Sequence, residues 1–145
     1  MKKFLSLVAV VFCTVLLSGC GEKSLKCTKD ISTSGITMQQ AVDMNFNGNK
    51  ITTMSTTISI EFNESQKAYV DTMMSTLENT YKKQYGISKS VEVKTEKKSD
   101  LKYDITISID YKNMSEADKK TLGMAGSENY DVNKKDLENS GYTCK

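Results

Sequence analysis

Residues 101–112 read Leu-Lys-Tyr-Asp-Ile-Thr-Ile-Ser-Ile-Asp-Tyr-Lys. Leu101, Tyr103, Ile105, Ile107, Ile109 and Tyr111 alternate without a break against Lys102, Asp104, Thr106, Ser108, Asp110 and Lys112. Successive side chains of a strand point to opposite faces, so this run predicts a strand with one face buried and one wet. Just upstream, Val91, Val93 and Thr95 alternate with Glu92, Lys94 and Glu96, and Lys97-Lys98-Ser99-Asp100 supplies the turn between the two strands.

Further upstream the period lengthens. Val70, Met73, Met74, Leu77, Tyr81 and Tyr85 recur at three- and four-residue steps, a single apolar stripe within an arc of about 120° on a helix. Asn63 or Ser65 can cap its start, and Gly86 stands where a left-handed cap would end it. Before it lie three strands in a meander. Leu25, Cys27, Lys29 and Ile31 lead to a turn at Ser34-Gly35, then Ile36, Met38, Val42, Met44 and Phe46 share a face with Gln40 as the exception. Asn47-Gly48 predicts a type I′ hairpin turn. Beyond it Met54, Ile58, Ile60 and Phe62 share a face, with Thr52 and Thr56 filling in. Downstream of residue 112, Ser115-Glu116-Ala117-Asp118 resembles a capping box opening a helix that stops near Gly123. Asp131 can cap a second short helix through Leu137, closed by Ser140-Gly141, and Tyr142–Lys145 returns as a strand. The order is β-β-β-α-β-β-α-α-β. It predicts an α+β fold, an antiparallel sheet of five to six strands packed on one long helix plus two short helices, in a single globular domain over residues 25–145.

Composition narrows the chemistry. The 145 residues contain no His, Pro, Trp or Arg, so every basic side chain is Lys. No imidazole can serve as base or metal ligand, and no guanidinium can clamp a phosphate or carboxylate. Most common catalytic constellations are excluded, and no cofactor or metal is expected.

Lys2 and Lys3 precede an uncharged run over residues 4–17, too short to cross a hydrocarbon core, which needs about 20 residues. A charged start, a short apolar stretch and small residues describe an export signal over residues 1–19. Leu17-Ser18-Gly19-Cys20 resembles the lipobox of bacterial lipoproteins, a class cut before a cysteine whose sulfur carries diacylglycerol. That predicts lipidation at Cys20, a short polar tether over residues 20–24, and acyl chains such as palmitate holding the domain on the membrane. Cutting there removes Lys2 and Lys3, leaving as many Lys as the 18 acids. So balanced a body carries no basic footprint for nucleic acid, and the sequence shows no polybasic second anchor. With Cys13 in the signal and Cys20 acylated, Cys27 and Cys144 remain, and two thiols in an exported protein suggest one disulfide.

Other candidate sites have plainer readings. Met38, Met44, Met54, Met73 and Met74 fall on predicted core faces, with Met114 and Met124 elsewhere, so packing accounts for them better than Cu(I) ligation. Asp100, Asp104 and Asp110 lack the spacing of a calcium loop, though two carboxylates in a cleft would allow a hydrolase. Lys, Tyr and Thr on the outer sheet face offer either a binding surface or ordinary solvated strands.

The lipobox, the hairpin-rich start, the long central helix, the Ser115–Gly123 helix and the ending Gly141-Tyr142-Thr143-Cys144-Lys145 together resemble the YehR-like small bacterial lipoproteins, a family of unknown function. The resemblance implies an α+β domain tethered by an N-terminal lipid to the extracytoplasmic face of the cell membrane, and it supplies no catalytic residues. The expected function is non-enzymatic, with the domain binding an envelope component, partner protein or small ligand. A carboxylate-based envelope hydrolase is the alternative.

Overall fold

The computed structural model describes residues 21–33, 35–124 and 129–145. The predicted signal (1–19), Cys20 and Ser34 lie outside the described residues. Strands β1 (Glu22–Asp30), β2 (Ile36–Asn47) and β3 (Lys50–Phe62) form a meander, followed by a 3-10 turn (Glu64–Tyr69) and helix α1 (Val70–Tyr85). Strands β4 (Val91–Lys97) and β5 (Lys102–Asp110) form a hairpin, then come α2 (Glu116–Thr121), α3 (Tyr130–Asn139) and a two-residue β6 (Thr143–Cys144). All six strands make one antiparallel sheet in the order β4-β5-β3-β2-β1-β6. The fold is α+β.

The alternation in β5 sets the layering. Tyr103, Ile105, Ile107 and Ile109 are buried, and in register across β3 they oppose Ile60, Ile58, Thr56 and Met54. Leu25, Cys27, Val42, Met44, Phe46 and Ile51 extend the same layer toward the other margin. Val70 and Met74 of α1, each 1% exposed, close over Ile60, Phe62, Tyr103 and Ile105. Burying an apolar side chain of this size is worth about 1.5–3 kcal/mol, so two such anchors fix the helix. Tyr130 and Leu137 of α3 pack on the β1–β2 end of the layer.

Several local expectations shift. Glu22–Ser24, expected as tether, belong to β1 and pair with Asn47, Phe46 and Asn45. The hairpin turn centres on Gly48-Asn49, because Asn47 pairs with Lys50, and Gly48 alone of the two has positive φ (63°). A positive first central residue is the pattern of a II′ turn. Near the turn the β2–β3 register slips between Asn45 and Phe46, so Ile51 takes the core position expected of Thr52. Gly86 has φ −69°, so it is no left-handed cap; a Cβ there would collide with the Lys82 carbonyl. Met73 sits at the solvent edge of the α1 stripe, 38% exposed, while Met114 is core. Helix α3 starts earlier than expected, capped by Asn129, whose Oδ1 accepts from Asp131 N–H at 2.9 Å.

Candidate functional site

The described helices cover one sheet face, and among the described residues no helix covers the other. On that open face the register aligns Asp43 (β2), Ser55 (β3), Ser108 (β5) and Glu92 (β4) in one row straight across four strands. A neighbouring row holds Asn45, Thr53 and Asp110, with Asn45 Nδ2 donating to Thr53 Oγ1 at 2.9 Å. Ala41, Thr57 and Thr106 form the next, the two hydroxyls 3.2 Å apart. The first two rows floor a groove of about 680 Å³ that Lys89, Ser90 and Asn113 also line. Its described lining offers hydroxyls, amides, carboxylates and the Lys89 ammonium beside Met54, Val91 and Ile109, and no aromatic ring.

The expected carboxylates do not converge. Asp104 and Asp110 sit on one face of β5, six residues and so about 20 Å apart. Asp104 lies 3.6 Å from Lys98, and Asp100 lies off the groove, 3.2 Å from Lys67. Asp110 accepts from Asn113 Nδ2 at 2.6 Å, which braces the turn after β5. Asp43 and Glu92 are three strand spacings apart, about 14 Å, and each pairs with its own lysine, Lys26 at 3.4 Å and Lys94 at 3.0 Å. Among the described residues no three His, Cys, Asp or Glu side chains gather as a metal site, and no helix is long and apolar enough to cross a membrane.

Titration is most perturbed at the foot of α1. Tyr103 Oη donates to Asp71 Oδ1, and Lys97 Nζ donates to the same oxygen at 3.1 Å. The Tyr103 and Lys97 hydrogen bonds hold the Asp71 carboxyl below its ordinary value. Burial and then Asp71 push the Tyr103 hydroxyl up, and bonding to Tyr103 and Asp71 raises Lys97. The trio latches α1 to the β4–β5 hairpin.

At the other end of the sheet, the Gly21 carbonyl accepts from Gly48 N–H, so the start of β1 is tied to the β2–β3 hairpin. Lys23 and Lys112 line a cavity of about 540 Å³ there. Lys50, Lys112 and Lys119 line its neighbour of about 490 Å³, and the two share Asn47, Thr52 and Lys112. Sequence reading missed this lysine group because its members come from β1, β3, the segment after β5 and α2, apart along the chain.

Cys27 and Cys144 are directly opposed across β1 and β6, with their sulfurs at disulfide distance, 1.97 Å. Lys29 braces the same corner, donating to the Ser140 carbonyl at 2.7 Å with its Nζ 5.6 Å from the Tyr142 ring centre. An ammonium at the end of α3 also complements the helix dipole.

Solved structures share this architecture. The NMR structure of the E. coli YehR protein superimposes with a TM-score of 0.61 at 15% identity, over 86% of this chain and 92% of that one. The fold is YehR-like. An NMR structure of a protein from Streptococcus pneumoniae TIGR4 superimposes with a TM-score of 0.58 at 13% identity, over 100% of this chain and 96% of that one. Identities this low make the likeness one of fold. No family model matches the chain, and no curated protein sequence matches it.

Proposed function

We propose that this chain is a bacterial lipoprotein whose domain binds a polar envelope component across the open face of its sheet, without catalysing a reaction on it. Residues 1–19 direct export and are removed, Cys20 carries the lipid, and the Cys27–Cys144 bridge closes the domain on the extracytoplasmic side. The leader pattern and the lipobox-like Leu17–Cys20 support the anchor. The observation that carries the binding reading is the Asp43–Ser55–Ser108–Glu92 row, a ladder of acceptors and hydroxyls on rigid strands with no helix above it among the described residues. Its chemistry suits a ligand rich in hydroxyl or amine groups. The hydrolase alternative needs two carboxyl groups roughly 5–9.5 Å apart in a cleft. The closer carboxylate pairs on this face are already engaged, which favours binding: Glu96 and Asp104, opposite each other across β4 and β5, share Lys98 at 2.6 and 3.6 Å. Glu92 and Asp110, diagonal neighbours about 7–8 Å apart, are held by Lys94 and Asn113.

Native mass spectrometry of the protein extracted from its own membrane tests the reading. The expected result is a retained adduct that disappears when Ser55 and Ser108 are both changed to Lys, with the fold checked by circular dichroism. An adduct indifferent to those substitutions, or none at all, overturns it.

A further inference from the structure

The placement of β1 leaves the proposed anchor no slack. Pairing begins at Glu22, opposite Asn47, and the Gly21 carbonyl is bonded to Gly48 N–H. Cys20 is one peptide unit upstream, about 3.8 Å from Cα to Cα. A free five-residue tether would let the domain tumble about 17 Å from the bilayer. With β1 starting at Glu22, a lipid on Cys20 brings the β2–β3 hairpin end of the sheet to the headgroups.

That end carries unneutralised positive charge. Lys23, Lys50 and Lys112 are exposed there, around the two adjoining cavities, and none has an ion-pair partner among the described residues. Lys23 instead lies over the Tyr130 ring, 5.3 Å from its centre. Glu22 is the acid on the same rim. At the opposite end Lys67 pairs with Asp100 at 3.2 Å, Lys97 with Asp71 at 3.1 Å, Lys98 with Glu96 at 2.6 Å and Lys102 with Glu61 at 3.2 Å, while Lys29 donates to the Ser140 carbonyl. Residues 20–145 balance Lys against acids, yet unpaired lysines gather at the hairpin end, where the chain emerges from the anchor.

We propose that Lys23, Lys50 and Lys112 seat on the phosphates of anionic phospholipids, holding the domain upright with the hairpin end on the bilayer. This rests on the anchor reading above. A lysine close to an anionic surface strengthens its attraction about fivefold, an effect confined to roughly a Debye length. The cavities between the lysines give headgroup oxygens room to enter. In this stance the strands rise from the membrane, and the groove on the open face is presented sideways to the envelope.

The test uses the processed protein, purified from its host and placed in nanodiscs. One set of discs is phosphatidylcholine, the other an equal mixture with phosphatidylglycerol. Amine acylation is followed residue by residue with peptide mass spectrometry, which also weighs the Cys20 peptide. The expected result is a diacylated Cys20, with Lys23, Lys50 and Lys112 labelled at least about fivefold more slowly in the anionic discs. Lys67 and Lys102 should label alike in both, and high salt should shrink the difference. An acylated Cys20 with equal labelling everywhere overturns this orientation and leaves the anchor standing. An unmodified Cys20 overturns both.

Discussion

Removing the Cys27–Cys144 pair probes how much of the stability comes from joining the first strand to the last. The two cysteines are 117 positions apart, enclosing nearly the whole described domain. Closing so long a loop in the unfolded chain gives a chain-entropy stabilisation of about 5 kcal/mol at most, and measured cases more often fall at about 2–4. The ladder at this point is thin. Beyond the bridge and the Thr28–Thr143 pairing, β6 is held by Lys145 N–H to the Lys26 carbonyl at 2.8 Å and the reverse bond at 3.3 Å. Cys27 is itself 1% exposed, so Cys27→Ala also removes a buried sulfur. Three samples separate the effects in urea unfolding: the oxidised protein, the same protein with reductant, and the Cys27→Ala/Cys144→Ala variant. Reduction should lower stability by about 2–5 kcal/mol, a midpoint drop of roughly 1–3 M at a slope of about 2 kcal/mol per M. The double variant should fall with the reduced protein, lower by about 1 kcal/mol for the lost packing. Hydrogen exchange should show α3 and β6 opening first in both. A midpoint that reductant leaves unmoved would refute the reasoning.

Met74→Ala should cost about 2–5 kcal/mol in urea unfolding, while Met73→Ala should stay within about 0.5 kcal/mol, because the α1 stripe buries the first and leaves the second at the solvent edge. Asp71→Asn should flatten the acid limb of stability. The Asp71 carboxyl is held below its ordinary 3.8 by Tyr103 and Lys97, so its stabilisation is complete above that pH and lost as pH falls through the lower folded value. Thermal midpoints at pH 7 and pH 3 should therefore lie closer together in the variant, and an unchanged gap would show the latch to be idle. Gly86→Ala should lower the thermal midpoint although φ is negative and helix propensity favours Ala, since the new Cβ meets the Lys82 carbonyl.

The strands and the long helix were legible because their periods are strong. The unbroken alternation of residues 101–111 and the stripe from Val70 to Tyr85 each describe one face, and packing kept both apart from Met73. What escaped depends on groups that leave no pattern in a side-chain string. The slip between Asn45 and Phe46 that moves Thr52 out and Ile51 in is a property of backbone pairing, and Asn47-Gly48 signals a hairpin without fixing which two residues turn. Asn129 and Asp131 are equally good caps by type, and only the position of the first helical turn chooses between them. The open-face row was half visible. Each residue could be assigned to the polar side of its strand, but that Asp43, Ser55, Ser108 and Glu92 stand abreast follows from three registers at once. Lys23, Lys50 and Lys112 were invisible as a group for the same reason.

The margins of the sheet bear on how copies behave side by side. An unpaired strand border invites a neighbour to add to it, which is how many β proteins aggregate. Here one border is β4, where Glu92, Lys94 and Glu96 put a charge on every second residue, and the other is β6, only two residues long. Neither offers a long, uncharged stretch of free backbone. Molecules crowded together at high local density therefore have little to zip onto, and each sheet ends where its own chain ends it.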